Sequence, residues 1–239
     1  WSKLAITRSR GKEIIRMFLL MCACTLIIIG LARPQWGREQ VEIRHKGVDI
    51  VFVLDTSLSM LAEDIKPNRF EKARFIIDSI ISQMPGNRVA LVAFAGSAFL
   101  ECPLTIDTSA FRLFLNAINV GFIPDPGTAL ADSLYTAMDA FGSKKLTNKA
   151  VIILSDGEDH EGDLRDVMSK AKQLQLRIYA IGMGRKEGEP IPLKNEYGRV
   201  VGHKKDPGGE AVLTKLQDEN LLALAQNTGG LYFPATASE

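Results

Sequence analysis

Apolar and polar positions change rhythm several times along this chain, and each rhythm predicts an element. From Ile14 to Ala32 the run I-I-R-M-F-L-L-M-C-A-C-T-L-I-I-I-G-L-A carries one charge, Arg16. As a helix its nineteen residues would span roughly 28 Å, close to the ~30 Å hydrocarbon core of a bilayer. A buried core helix or a cleaved signal peptide fits less well, because apolar runs of ~7–15 residues are typical of those. No small-x-small cleavage pattern follows; Arg33-Pro34-Gln35-Trp36 does. Trp36 suits an interfacial anchor, and Arg16 can snorkel to the opposite headgroups. A transmembrane helix is therefore expected at 14–32, with a polar connector at 33–47.

Beyond the connector, short β-branched runs alternate with amphipathic stretches. Residues 48–54 (V-D-I-V-F-V-L), 88–94 (R-V-A-L-V-A-F) and 149–155 (K-A-V-I-I-L-S) are almost wholly apolar, as strands covered on both faces should be. Shorter strands are expected at 177–181 and 231–233. An antiparallel edge strand is expected at 98–102, after the turn at Ala95-Gly96. Residues 69–84 carry Phe70, Ala73, Ile76, Ile77, Ile80, Ile81 and Met84 on a 3.6-residue period before Pro85-Gly86-Asn87 stops the helix. Helices are also expected at 108–117, capped by Asp107 or Thr108, and at 129–141 and 164–174, with 221–226 as part of a last helix. Such alternation predicts an α/β fold: a doubly wound, mostly parallel sheet with one short antiparallel edge strand, carrying ligands at the carboxyl ends of its strands. The domain is placed at 48–236. At about 185–214 the pattern loosens into Gly, Pro and charge around Arg199-Val200-Val201-Gly202, which predicts an inserted hairpin at one edge.

Charge changes the picture only when it is divided. Lys plus Arg total 29 against 28 for Asp plus Glu, so the whole chain has no basic excess for a nucleic-acid backbone. Residues 1–47 hold nine Lys or Arg against three acids, and the rest holds twenty against twenty-five. Lys3, Arg8, Arg10, Lys12 and Arg16 lie upstream against Arg33 and Arg38 immediately downstream, so by the positive-inside rule the basic segment 1–13 is expected in the cytoplasm and the domain on the other side. Three cysteines cannot build a disulfide framework. The chain opens on Trp1 rather than Met, so further sequence upstream is expected.

Candidate chemistry sits at the predicted strand ends. The segment D-T-S-L-S puts Asp55, Ser57 and Ser59 at alternate positions; leaving a strand, these point the same way. The segment L-S-D-G-E brings Asp156 to an equivalent height, and the loop Pro124-Asp125-Pro126-Gly127-Thr128 can present Thr128. All are hard oxygen donors, which selects Mg²⁺, Mn²⁺ or Ca²⁺ over zinc or copper. Two carboxylates balance a divalent cation, and few protein anions with several waters is how Mg²⁺ is commonly held. D-x-S-x-S alone arises easily by chance; Thr128 and Asp156 in register give it weight. Ser155 is read as a loop hydrogen-bonder, and Glu158, Asp159, Glu161 and Asp163 as a solvated acidic rim. His45, His160 and His203 are dispersed. Gly182-Met183-Gly184 followed by Gly188 lacks the spacing of a dinucleotide turn. Asp64, Lys66, Asn68 and Arg69 are read as shaping and capping the first domain helix, with a secondary role at the rim of a partner surface.

These residues resemble a von Willebrand factor A domain with a complete metal-ion-dependent adhesion site, on Asp55, Ser57, Ser59, Thr128 and Asp156, over roughly residues 48–234. The segments L-A-R-P-Q, D-T-S-L-S-M-L-A-E-D-I-K-P-N-R and F-A-G-S-A-F-L-E-C-P-L-T further resemble the bacterial membrane-anchored Bat proteins of aerotolerance operons. The resemblance implies a Rossmann-like fold and a non-catalytic interaction module that takes a Glu or Asp from a protein partner onto its metal. It also implies a bacterial inner-membrane location with the domain in the periplasm, and a second membrane helix after Glu239. Other Bat proteins, tetratricopeptide-repeat proteins and a MoxR-type AAA ATPase system are the implied partners. A structural scaffold with a stabilising metal is the alternative. An Mg²⁺-dependent phosphohydrolase is disfavoured because the acid it needs two residues past its nucleophile is here Ser57, and no G-x-S-x-G elbow exists for a serine hydrolase.

Overall fold

The long apolar run becomes one helix, α1 (Arg10–Ala32), because Arg10-Gly11-Lys12-Glu13 continue it at the N-terminal end. Its 23 residues extend about 35 Å. None of its side chains is buried in protein, and it is long and apolar enough to cross a membrane. The computed structural model describes residues 10–32, 47–125, 127–142, 148–158, 164–195, 197, 199–206 and 208–235. The chain forms two compact units, Trp1–Arg44 and His45–Glu239. Most of the expected connector, and with it His45, lies outside the described residues, as do Asp159, His160, Glu161 and Asp163.

In chain order the second unit contains β1 (Asp49–Asp55), a 3₁₀ turn (Leu58–Leu61), α2 (Arg69–Gln83), β2 (Arg88–Phe94), β3 (Ala98–Thr105), α3 (Thr108–Ala117), α4 (Leu130–Ala140), β4 (Lys149–Ser155), α5 (Leu164–Gln173) and β5 (Arg177–Met183). It continues with β6 (Glu189–Pro190), β7 (Pro192–Lys194), β8 (Val200–His203), β9 (Leu213–Thr214), α6 (Asp218–Thr228) and β10 (Tyr232–Ala235). A six-stranded sheet runs in the order β10-β5-β4-β1-β2-β3. Every pair is parallel except β2 with β3. The chain enters this sheet at Asp49. Because β10 runs with β5, it leaves at the opposite end, at Ala235 beside Met183.

Period-2 alternation distributes the core. Ile50, Phe52 and Leu54 of β1 pack with Phe70, Ala73, Ile77 and Ile81 of α2 and with Phe111 and Leu115 of α3. Val51 and Val53 face the other way, toward Leu130 and Leu134 of α4, Val167 of α5 and Leu221 and Leu224 of α6. Each such side chain removed from water contributes about 1.5–3 kcal/mol, so β1 is fixed from both faces. Asn68 starts α2 by accepting the Glu71 N–H (2.8 Å). Asp107 starts α3 by accepting from Ser109 and Ala110.

Three expectations need adjustment. The edge strand β3 runs on to Thr105, past the expected end at residue 102, since Pro103 lacks only a donor that an edge strand can spare. The closing strand is Tyr232–Ala235 rather than 231–233. The insertion is more than one hairpin: β6 pairs with β9 and β7 with β8, both antiparallel. The bonds Lys204 N–H to Ile191 O (2.9 Å) and Val212 N–H to Lys204 O (2.8 Å) join these pieces into one sheet-like fold.

Candidate metal centre

Strand β1 lies between β2 and β4, where the chain first turns one way along the sheet and later the other. This switch point is where an open α/β sheet leaves a crevice at its carboxyl ends. Asp55 ends β1 there and is fully buried. One of its oxygens accepts the Ser57 N–H (2.9 Å) and the other the Ser155 hydroxyl (2.6 Å). Ser155, at the end of β4, also accepts the Gly157 N–H (3.0 Å), so it ties the two strand ends together. The Ser57 and Ser59 hydroxyls lie 2.9 Å apart. The hydroxyl of Thr56, out of phase with them, donates to Phe94 O (2.9 Å). Ser57 is extended but Ser59 lies in the 3₁₀ turn, so the two hydroxyls meet through that turn rather than through continued strand alternation.

Asp156 follows β4 and is also fully buried. Its carbonyl accepts the Gln217 N–H (2.8 Å), and Gly157 then turns with φ +75°. A Cβ on Gly157 would collide with the Gln217 carbonyl oxygen, so the glycine is required by conformation and by space. One Asp156 oxygen accepts from Arg69 Nη1 (3.0 Å) and lies 3.4 Å from the Thr214 hydroxyl. Arg69, fully buried, forks onto Asp64 through Nε (2.9 Å) and Nη2 (2.8 Å) and also donates to the Thr214 hydroxyl (3.0 Å). Its guanidinium fills the space beside Gly184, which has φ +123° and whose added Cβ would stand 2.7 Å from it. Asp64 also accepts the Arg185 N–H (2.7 Å). Arg69 and Asp64 therefore hold both ends of the insertion against the strand ends, a role the sequence reading as a helix-shaping pair missed. One signal was available: Arg69 opens α2, where the helix dipole disfavours a cation, so its charge had to be needed elsewhere.

Thr128 arrives on the loop before α4. Gly96 N–H to Asp125 O (3.1 Å) and Ala129 N–H to Ala95 O (2.7 Å) pin that loop to the β2–β3 turn. Ser57, Ser59 and Thr128 line one cavity of about 300 Å³, with Asp55 and Asp156 buried beside them. Glu158, expected to be a solvated rim group, also lines it and accepts from the Thr214 hydroxyl (2.8 Å) and the Lys215 N–H (3.2 Å). His203 is exposed on β8.

The electrostatics leave room for a cation. Burial raises the Asp55 carboxyl above its ordinary range, against hydrogen bonds from Ser155 and Ser57. Burial, then the neighbouring Asp55 charge, pushes Asp156 up to about 7, with the Ser59 hydroxyl and Arg69 opposing. Burial also opposes ionisation of Asp64, but Arg69 and two backbone N–H groups hold it below its ordinary value. Burial works against Arg69 too, and Asp64 and Asp156 keep its charge in place. Arg69 is shared between Asp64 and Asp156, so the carboxylates of Asp55, Asp64 and Asp156, when ionised, exceed it by two buried negative charges. That is the charge a divalent cation neutralises. Among the described residues no cluster of three or more His, Cys, Asp or Glu could hold a metal; the oxygen groups gathered here are the two buried carboxylates with Ser57, Ser59 and Thr128 along the cavity.

The von Willebrand factor type A domain pattern matches residues 50–158. The crystal structure of BatB, a conserved hypothetical protein from Bacteroides thetaiotaomicron, is similar with a TM-score of 0.76 and 30% identity, covering 80% of this chain and 92% of that one. An aerotolerance-related membrane protein from Bacteroides fragilis gives 0.74 and 29% over 79% and 92%. An uncharacterized protein of Borreliella burgdorferi is 27% identical over 218 residues, 90% of this chain, which spans 61% of that relative's length. With the sheet order, the strand-end residues and these likenesses in agreement, the chain belongs to the von Willebrand factor type A domain family and resembles its Bat aerotolerance members.

Proposed function

We propose that this chain is a membrane-anchored, metal-dependent protein-interaction module of a bacterial envelope complex. Asp55, Ser57, Ser59, Thr128 and Asp156 would hold one divalent cation, and a Glu or Asp of a protein partner would complete its coordination from the cavity. The observation that carries this reading is the pair of buried carboxylates, Asp55 and Asp156, whose charge Arg69 only partly offsets, beside a cavity lined by Ser57, Ser59 and Thr128. Mg²⁺ is preferred, with Mn²⁺ of similar demand, because Ca²⁺ takes ~6–8 oxygens in a looser cage. When bound, the cation supplies a positive point charge that a partner carboxylate can share. Serine and threonine hydroxyls orient that charge while adding none of their own. The module is read as non-catalytic, since the position two residues past Asp55 is Ser57, whose hydroxyl is engaged with Ser59.

Lys3, Arg8, Arg10, Lys12 and Arg16, up to the start of the apolar run, against Arg33 and Arg38 immediately after it, support an inner-membrane anchor with the domain in the periplasm. By resemblance, we assign the module to a stress- or oxygen-tolerance assembly with other Bat proteins, tetratricopeptide-repeat proteins and a MoxR-type ATPase system. The test is capture of partners by the detergent-solubilised chain in Mg²⁺ and in chelator. Asp55→Ala is expected to abolish the Mg²⁺-dependent capture and leave the circular-dichroism spectrum unchanged. Equal capture by Asp55→Ala and wild type in both conditions would falsify the reading. A chelator that lowers the melting temperature without changing capture would leave the metal a purely structural part.

A further inference from the structure

The cavity over the hydroxyls has a second wall, contributed by the insertion. Ile191, Lys204 and Val212 all line it. Their backbones are joined in a row, Lys204 N–H to Ile191 O (2.9 Å) and Val212 N–H to Lys204 O (2.8 Å). One line across the insertion therefore presents an aliphatic, a cationic and an aliphatic side chain to the same space as Ser57, Ser59 and Thr128. Two acids also line the cavity, and both are engaged: Glu158 with Thr214 and Lys215, and Asp125 with the Ser97 hydroxyl (2.9 Å). Lys204 is the one cationic side chain among the lining residues. Its ammonium has no hydrogen-bond or ion-pair partner among the described residues. It is a local positive charge in a domain whose acids outnumber its bases, twenty-five to twenty from residue 48 onward.

Resting on the metal reading above, we propose that the insertion selects the partner, and that the occupant is an acid-x-acid segment of a protein chain. In an extended segment, residues two apart project to the same side, roughly 6–7 Å from one another. The first carboxylate takes the metal and the second takes Lys204, while the methylene stems cover Ile191 and Val212. A volume of about 300 Å³ is at the lower end for ligand pockets, and suits two side chains of a docked segment rather than a whole small ligand. Charge complementarity commits the site to this occupant: a metal alone would accept any single carboxylate, whereas a second isolated cation demands a second anion.

The probes are acetyl-Glu-Ala-Glu-amide and acetyl-Glu-Ala-Gln-amide, titrated by calorimetry and by NMR onto the Mg²⁺-loaded full chain in detergent micelles. The diacid is expected to bind about fivefold more tightly, the effect of one solvent-accessible ion pair. Lys204→Gln should remove that difference while leaving Mg²⁺ affinity unchanged. Lys204→Glu should reverse the preference. Equal binding of the two peptides by wild type, or a preference that survives Lys204→Gln, overturns this proposal and leaves the metal reading standing. Absence of any Mg²⁺-dependent peptide binding overturns both.

Discussion

Arg69 shows how one side chain can decide what a site is. A buried guanidinium between two carboxylates is stable because each charge is paired and its hydrogen bonds are made. Arg69→Met leaves Asp64 and Asp156 buried without their counter-charge, and is expected to cost about 3–5 kcal/mol, read from urea unfolding. Arg69→Lys restores the charge without the fork, so it should recover only part of that loss. Gly157→Ala is expected to be destabilising as well, by about 1–3 kcal/mol for the strained backbone alone, with loss of Mg²⁺ binding because Asp156 moves with the turn. Asp55, Ser57 and Ser59 were legible in the sequence because they lie close together along the chain, although it is the 3₁₀ turn and not strand alternation that brings Ser59 to Ser57. The Arg69 network was not, since its partners Asp156 and Thr214 lie 87 and 145 residues away.

Among elements, the same contrast separates the central strands from the insertion. β1, β2 and β4 are apolar enough to declare burial on both faces, and their order of appearance already requires crossovers. The insertion has few apolar residues and takes its form from pairings such as Glu189 with Thr214, which no periodicity announces. Leu193, Tyr197, Val200, Val201 and Leu213 stand exposed on the insertion, in a connecting segment of the kind that carries recognition on a rigid scaffold. Helix α2 presents a local and testable contribution. Removing the Asn68 cap in Asn68→Ala should cost about 1 kcal/mol, measured by thermal melting, and should shift the Arg69 end of the helix with it.

For the molecule as a whole, the separation of charge matters more than its sum. The basic excess lies in residues 1–47, within and on both sides of α1, and the acidic excess in the residues that follow. The carboxyl pair gives a pH dependence of known sign. A carboxyl whose pKa rises on folding holds its proton more tightly in the folded state, so Asp156 favours folding below its ordinary value of 3.8 and loses that contribution as pH climbs through about 7. The metal-free chain is therefore expected to lose thermal stability across that window, and Mg²⁺ to restore it at the upper end, where the carboxylate is charged. Melting curves with and without Mg²⁺ at pH 5 and pH 8 check this; a metal-induced shift no larger at pH 8 than at pH 5 would contradict it.

Strand polarity carries one more consequence. The domain's incoming strand starts at Asp49, hydrogen-bonded to Asn148 at the amino ends of the sheet, while β10 delivers Ala235 to the carboxyl end beside Met183. Gly184, one residue on from Met183, packs against Arg69. A fluorophore placed at Ala235 is thus expected at the carboxyl-end side of the sheet, where it would report a partner bound at the proposed metal site. The same label placed before Gly47 would be separated from it by the full length of β1, about 23 Å of extended chain.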